Sequence, residues 1–449
     1  MKNEDSFFEI DIVAVNSSGQ GIGTLDGLKV FIDLALPGER IKAQIIEKKK
    51  KYAIARLVKV LEKSPDRQEP ICPIFTFCGG CQIMHWKYDK QLEYKSQRVQ
   101  EALMRIGGLE NPPVLPCIPS PSPLYYRNKI QLPFFEKDGH VSMGLYKKHS
   151  NEVVEVETCY IHCEIGQKIY ASLQELLKNS PLRVFNPEKR KGFLRHLLIR
   201  TAVKTRECLI VFITASGLFK KELLAIAETL MAKHPELKGV LQNVNKKRFN
   251  SILGDELFTL KGRPYIYEEI KGLRLKISAH AFFQVNPAQA ANLYQTAIAL
   301  ADLKKEDSLL DAYCGIGMFA LFAASKVKSV LGIESVSSAV ENAKENAKLN
   351  ELPNVRFKCD RVEHALDTLT SIDAVFVNPP RKGCEASVLE AFSKMKIKKI
   401  IYVSCDPATL SRDIAYLKDK GYNLIKVQPL DMFPQTTHVE SVALLVRED

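Results

Sequence analysis

No stretch of the chain approaches the roughly 18 consecutive apolar residues that a membrane-spanning helix needs, so no membrane partner is expected. The opening residues, MKNEDSFFEI, carry no apolar core behind a basic cap, which argues against a secretory signal and for a cytoplasmic protein. The eleven cysteines then belong in a reducing compartment, where they read as metal ligands, nucleophiles or core residues and not as a disulfide framework. Internal repeats are absent. An acidic excess is absent too: 52 Asp and Glu stand against 64 Lys and Arg, a net charge of +12 with a pI near 9.0. Such a balance fits a phosphate-rich partner, with nucleic acid the leading class and a generally basic enzyme the alternative. Basic clusters fall at Lys48–Lys51, Lys189–Lys191, Lys246–Arg248 and Lys394–Lys399. With 46% apolar and 26% charged residues, neither global disorder nor a fibrous class fits. A length of 449 residues leaves room for about three domains.

Four regions follow from the patterning. Residues 1–62 alternate apolar and polar positions with glycine punctuation, which predicts a small N-terminal β-barrel. Residues 63–89 hold three cysteines among prolines and glycines and read as a loop-rich knot. Residues 90–265 open with helical periodicity at Leu92, Val99, Leu103 and Ile106, stopped by Gly107-Gly108. Strand-like runs such as KIQLPFF, HVSMGLY, LRHLLIRTAV and CLIVFITA follow, so this is a central α+β region whose first helix is free to pack on the next domain. In residues 266–449 the strands SLLDAYC, VLGIE, NVRFKC, AVFVN and KIIYVSC alternate with helical patterns, which predicts an α/β, Rossmann-like parallel sheet. Two further strands joined by a long loop end the chain.

The first strand of that sheet runs into Asp311-Ala312-Tyr313-Cys314-Gly315-Ile316-Gly317, a glycine loop where backbone can approach a ligand at a helix start. About 20 residues on, the next strand ends in Glu334, suited to two ribose hydroxyls. The third glycine of a dinucleotide fingerprint is missing, since Ala320 stands there, and no pyrophosphate cradle is evident. A ribose and adenine without phosphates fits better, and S-adenosylmethionine is that ligand. Asp360, after the third strand, is a candidate for the adenine amino group. Asn378-Pro379-Pro380-Arg381 ends the fourth strand, where many methyltransferases hold the transferred methyl.

The fifth strand delivers Cys405-Asp406-Pro407 to the edge where open α/β sheets bind ligands, and the helix that follows could depress the thiol pKa. His438 and Glu440 sit in the loop and strand that close the sheet. Together they suit methylation at C5 of uracil, a carbon too weakly nucleophilic to take a methyl unaided. A thiolate adding to C6 raises electron density at C5, and a base must then remove the C5 proton. Glu440 is the preferred base and His438 its rival.

Cys72, Cys78 and Cys81 form C-x5-C-x2-C. A zinc ribbon wants two C-x2-C pairs, and only one is present. With a fourth cysteine from Cys159 or Cys163, spacing alone leaves zinc and iron–sulfur equally open.

These segments together resemble the RNA uracil-5 methyltransferases, in particular the 23S rRNA branch with an N-terminal TRAM domain and a [4Fe-4S] cluster. The resemblance rests on ALPGER, CPIFTFCGGCQIMHWKYDKQLEYK, YYRNKIQL, GFLRHLLIR, FFQVN, DAYCGIG, NPPRKG, YVSCDPATLSRD and HVESVALL, in order along essentially the whole chain. It implies Cys72, Cys78, Cys81 and Cys159 as cluster ligands, with Cys163 a bystander. It implies cofactor contacts at Gln284, Tyr313, Glu334, Asp360 and Asn378, a base-stacking role for Phe282, and substrate contact by Asn378. Cys405 is then the nucleophile and Glu440 the base. Two positions depart from the family: Asn378 replaces the usual Asp, and Met318 replaces a polar Asn. The cluster, far in sequence from Cys405 and Glu334, is expected to be structural or RNA-positioning. The implied partner is RNA, most simply 23S rRNA, bound by a monomer, with no DNA.

Rival readings are fewer. An N6-adenine methyltransferase wants an aromatic after Asn-Pro-Pro, where this chain has Arg381. A cytosine-5 RNA enzyme wants a cysteine after the fourth strand in a Pro-Cys motif, which is absent. A tRNA T-loop uridine-5 methyltransferase shares the chemistry. A non-catalytic RNA-binding or ribosome-assembly factor would keep the core and survive loss of Cys405.

Overall fold

The computed structural model describes residues 7–217, 219–246, 252–366, 369 and 371–448. Of the basic clusters, Lys247 and Arg248 lie outside the described residues.

Six strands build the N-terminal body: β1 (Phe7–Asp11), β2 (Ala14–Val15), β3 (Gly21–Leu25), β4 (Leu28–Ile32), β5 (Arg40–Lys48) and β6 (Tyr52–Glu62). They form one sheet in the order β1-β5-β6-β4-β3-β2. Period-2 alternation sends Ile10, Val30, Ile32, Ile41, Ala43, Ala53 and Ala55 to a single core. Val13 N donates to Ile22 O at 2.9 Å, so the chain leaving β1 returns to β3 and curls the sheet into a barrel. Residues 63–87 contain no helix or ladder strand, only isolated bridges between Arg67 and Trp86 and between Cys78 and Lys147.

The central sheet follows helix α1 (Tyr88–Arg105). Its strands are β7 (Lys129–Lys137), β8 (His140–Tyr146), β9 (Val153–Glu155), β10 (Leu194–Ala202), β11 (Glu207–Thr214), β12 (Leu237–Val244) and β13 (Glu256–Gly262), ordered β13-β12-β11-β10-β7-β8-β9. Helices α2 (Glu164–Lys178) and α3 (Lys220–Lys233) cover one face, with Leu173, Leu177, Leu223 and Leu230 against Leu197, Ile199, Ile210 and Phe212. The other face carries Leu198, Leu209, Val211 and Leu241 into the core of the C-terminal body. The hairpin β14 (Tyr265–Ile270) and β15 (Leu273–Ser278) lies in that shared core, so no physical seam falls at residue 266.

The C-terminal sheet comprises β16 (Ser308–Ala312), β17 (Ser329–Glu334), β18 (Val355–Cys359), β19 (Ala374–Val377), β20 (Lys399–Ser404), β21 (Tyr422–Leu430) and β22 (Glu440–Arg447). The order is β18-β17-β16-β19-β20-β22-β21, parallel except for β22, which runs antiparallel to both neighbours. Its central strands β16, β19 and β20 are short apolar runs buried on both faces, as a parallel sheet covered by helices requires. Helices α4 (Pro287–Ala301), α5 (Met318–Ala323), α6 (Ser337–Leu349), α7 (Val362–Ala365), α8 (Ala386–Lys394) and α9 (Pro407–Lys418) supply the covering layers.

Helix α1 belongs physically to this last body. Val99 and Leu103 are fully buried in the same cluster as Leu410, Ile414 and Val427. Its periodicity hides a polar seam on the same side: Gln91 and Lys95 are also fully buried. Lys95 Nζ pairs with Asp431, equally buried, and donates to Phe433 O at 3.1 Å. Ile106, expected in the stripe, is half exposed beyond the end of the helix.

Lys95→Met should therefore destabilise the protein by about 3–5 kcal/mol in urea unfolding, because Asp431 is left buried and uncompensated. Lys95→Met combined with Asp431→Leu should recover most of that loss. Equal losses in the single and double variants would mean the pair is not a closed buried unit.

Candidate active site

The C-terminal ends of β16, β17, β19 and β20 open into a cavity of about 870 Å³. All eight residues assigned by sequence to cofactor, base and catalysis in this domain line it: Phe282, Gln284, Tyr313, Glu334, Asp360, Asn378, Cys405 and, from the closing strand, Glu440.

At the cofactor end, the Glu334 carboxylate accepts from Gly315 N at 3.1 Å and Val336 N at 2.9 Å. That bond fastens the glycine loop to β17 and leaves lone pairs for ribose hydroxyls. Gly317 has φ +87, and a Cβ there would lie 2.6 Å from Phe357 Cζ, so only glycine fits. Tyr313 adopts φ +62 without being glycine, a strained conformation of the kind that collects at ligand clamps. Gln284 is buried, its carbonyl accepting from Asn128 Nδ2 at 3.1 Å. Asp360 is already engaged by Lys358 Nζ at 2.9 Å and by Arg361 N at 2.8 Å. Met318 is buried at the start of α5 on the cavity wall.

At the catalytic end, strand register does the positioning. Ser404 of β20 pairs with Ser441 of β22, so the next step along the ladder sets Cys405 opposite Glu440. Burial pushes the Glu440 carboxyl up to about 8, against the pull of Arg381. Burial first, then Glu440, raises the Cys405 thiol to about 11, again opposed by Arg381. The expectation of a thiol depressed by helix α9 is thus overturned. Asp406 takes the amides of Ala408 and Thr409 at 2.9 and 3.0 Å as the helix cap, and its own carboxylate adds a like charge beside the sulfur. His438 is driven down to about 4 by burial and by Arg381, and is neutral at neutral pH.

The loop 431–439 that carries His438 and leads into Glu440 is held from outside its own domain. Gln91 and Gln435 exchange bonds at 3.0 and 3.1 Å, and Arg98 donates to Thr437 O. Tyr126 Oη donates to Pro434 O at 3.0 Å. Gln82 N and Ile83 N both donate to Gln435 O, at 3.1 and 3.2 Å. Gly79, Gly80 and Gln82 also line the catalytic cavity. The cysteine segment is therefore remote from Cys405 in sequence and adjacent to it in space.

Cys72, Cys78, Cys81 and Cys159 together line a second cavity of about 30 Å³ with Phe75, Met84, Leu145, Val156 and Ile161. Burial raises all four thiols, and each of Cys78 and Cys81 also feels the others' charge. Gly80 N approaches Cys78 Sγ at 3.4 Å. Among the described residues no three His, Cys, Asp or Glu side chains are placed to hold a metal ion. The fold brings the four sulfurs to one apolar chamber without setting them at that spacing. Cys163 lies apart, capping the start of α2.

Sequence reasoning passed over Arg381 as a participant, although NPPR displays it, and passed over Arg127 and Tyr294, which share the cavity wall. Nothing in the spacing of Gln82 or Gly79 signals their arrival there.

The buried carboxyl makes a thermodynamic prediction. An acid whose pKa climbs from the ordinary 4.5 to about 8 on folding holds its proton more tightly in the native state. That contribution is complete below the ordinary value and is lost as pH rises through about 8. Glu440→Gln should therefore gain unfolding free energy over the parent as pH rises from about 5 to about 9, by on the order of 4 kcal/mol at the alkaline end, read from urea unfolding. A difference that does not change with pH would show that Glu440 is not held neutral.

Comparison with known proteins fits this geometry. Residues 87–448 match the family described as tRNA (uracil-5-)-methyltransferase, and residues 3–58 match the TRAM domain. The chain is 41% identical over 449 residues to an uncharacterized RNA methyltransferase of Halalkalibacterium halodurans, covering 99% of this chain and 97% of that one. It is 41% identical over 456 residues to another from Clostridium acetobutylicum, covering 100% and 98%. Among solved structures it is similar to the tRNA (uracil-54, C5)-methyltransferase of Pyrococcus abyssi in complex with S-adenosyl-L-homocysteine. There the TM-score is 0.78 at 28% identity, covering 98% of this chain and all of that one. With the match spanning the whole catalytic body and its clasping helix, the chain belongs to the tRNA (uracil-5-)-methyltransferase family of S-adenosylmethionine-dependent RNA methyltransferases and carries an N-terminal TRAM domain.

Proposed function

We propose that this enzyme methylates C5 of a uridine in 23S rRNA through a covalent bond between Cys405 and C6. The observation that carries the reading is the register of β20 and β22, which sets a thiol and a buried carboxyl side by side on one cavity wall. Gln284, Tyr313, Glu334, Asp360 and Asn378 hold the cofactor. S-adenosylmethionine supplies the methyl group when bound. Phe282, 65% exposed at the mouth, stacks on the target base, and the Asn378 amide reads its edge.

Cys405 attacks as the thiolate, forming the S–C6 bond and pushing the pyrimidine π electrons to an enolate whose C5 then takes the methyl. Glu440 removes the C5 proton, the S–C6 bond breaks, and the thiolate is released. A carboxyl tuned to about 8 is a stronger base than an ordinary one, and Arg381 favours its charged form at the moment it is needed. His438, neutral and one position further from the ladder, orients the loop.

Cys72, Cys78, Cys81 and Cys159 would hold a [4Fe-4S] cluster. The apolar chamber, the shared charge of the sulfurs and the nearby amide support that donor set. The cluster would order a segment with little core of its own. Four cysteines and a TRAM domain favour 23S rRNA, acted on by a cytoplasmic monomer. The likeness to a tRNA (uracil-54, C5)-methyltransferase favours the second reading, a tRNA T-loop uridine.

Four experiments test the proposal. RNA carrying 5-fluorouridine has no C5 proton to lose, so with S-adenosylmethionine it should accumulate as an adduct on the wild type. Trapping by Cys405→Ala would overturn the nucleophile assignment. Glu440→Gln should stall as the methylated adduct, and normal turnover by it, with His438→Ala inactive, would reverse the two roles. Anaerobically purified protein should be brown with about four irons per chain; stoichiometric zinc would sink the cluster and spare the methyltransferase. Mapping 5-methyluridine in 23S rRNA and tRNA from a strain lacking the gene decides between the two substrates.

A further inference from the structure

Three cations share one face beside the catalytic cavity. Arg127 stands just before β7 and Lys129 is two residues on, so alternation points both the same way. Arg200 of β10 is the residue directly opposite Lys129 in the antiparallel ladder. Like charges facing each other across strands are unfavourable, and among the described residues no carboxylate forms an ion pair with any of the three, although Arg127 also faces the thiols of Cys81 and Cys159. The ion-paired arginines lie elsewhere, at Arg40, Arg67, Arg263 and Arg412 among others. The charges acting on Lys129 are Arg200 and Arg127, which add to burial and bring its pKa down to about 8. The Nε atoms of both Arg127 and Arg200 are buried without a partner.

The frame around them is fixed. Arg127 N donates to Ile161 O at 2.7 Å, Cys163 N to Arg127 O at 2.9 Å, and Thr201 N to Asn128 O at 2.8 Å. Arg200 spends its Nη2 on Ala281 O at 2.7 Å, which ties down the loop bearing Phe282. Arg127 reaches the cavity itself. A rigid cationic face with no carboxylate partner, beside an exposed aromatic ring, suits an anion attached to a stacked base.

We infer that Arg127 and Lys129 receive the phosphate next to the target uridine, while Arg200 holds the Phe282 loop over that nucleotide. This rests on the reading of the cavity as a uridine site. Phosphate would supply the missing counter-charge, and its fixed distance from Phe282 would set which nucleotide is presented to Cys405. Arg127 and Lys129 are positioning residues here, since neither reaches the reacting carbon atoms.

The test uses the full chain and a short RNA hairpin with a single uridine in its loop. Lys129→Met and Arg127→Gln should each bind it about tenfold more weakly near 0.1 M salt, with the log–log salt slope smaller by about one. S-adenosylhomocysteine affinity should be unchanged, which also reports that the variants fold. Lys129→Arg should restore binding. Replacing the phosphates flanking that uridine by neutral methylphosphonates should weaken the wild type and cost Lys129→Met nothing further. An unchanged slope, costs that simply add, or a loss of S-adenosylhomocysteine affinity in place of RNA affinity would each overturn the inference. Trapping of 5-fluorouridine RNA by wild type and variants alike, with slopes unchanged, would remove the phosphate site and leave the methyltransferase reading standing. Absence of trapping by the wild type would count against both.

Discussion

The arrangement of this enzyme depends on one buried ion pair. Lys95 of α1 and Asp431 at the head of the loop leading to Glu440 are both withdrawn from solvent and paired, Lys95 through Oδ1 of the carboxylate, whose Oδ2 is buried without a hydrogen-bond partner. A pair so placed gains little stability over apolar residues of the same shape, but breaking it is costly, so it fixes geometry. What it fixes is the path from Asp431 to Glu440. Gln91, Arg98, Gln82, Ile83 and Tyr126 then clasp the same loop at successive points. The nine-residue loop leading into Glu440 has no regular secondary structure of its own to hold it. Here its conformation is written by a helix and a cysteine segment that lie more than three hundred residues earlier in the chain.

That clasp gives the cysteine segment a second meaning. Its sulfur chamber and its bonds to Gln435 are parts of one short stretch, from Cys72 to Ile83. Anything that orders the four thiols also orders the amides that hold Gln435. The packing of the cysteine segment and the conformation of the loop leading to Glu440 are thereby mechanically joined.

Much of this was readable in advance, for particular reasons. The central strands β16, β19 and β20 of the C-terminal sheet are buried on both faces, and such strands appear as unmistakable apolar runs. The glycine loop, Glu334 and Cys405 fall at their ends because that is where an open α/β sheet presents ligands. The convergence of Cys72, Cys78, Cys81 and Cys159 on one chamber also follows the order of the motifs. Less was readable where local pattern and tertiary use diverge. The seam of α1 is polar, so hydrophobic periodicity points to Leu92 and Ile106 and misses Gln91 and Lys95. The thiol pKa ran opposite to expectation because burial, and after it the neighbouring Glu440, outweighs any help from the helix start, whose first amides Asp406 already caps. The boundary near residue 266 dissolves because the central sheet lends its second face to the catalytic core. Each of these depends on contacts between residues distant in sequence.

The account's central claim is that register places Cys405 and Glu440 close enough for each to govern the other's charge. The most direct measurement is the rate of Cys405 alkylation by iodoacetamide against pH, read from the Cys405 peptide by mass spectrometry in wild type and in Glu440→Gln. The account predicts a wild-type rate still rising at about pH 9, since the thiol titrates near 11, and a faster rate in Glu440→Gln above about pH 8, where the carboxylate's repulsion has been removed. A wild-type plateau below about pH 8, or superimposable profiles for the two proteins, would contradict it.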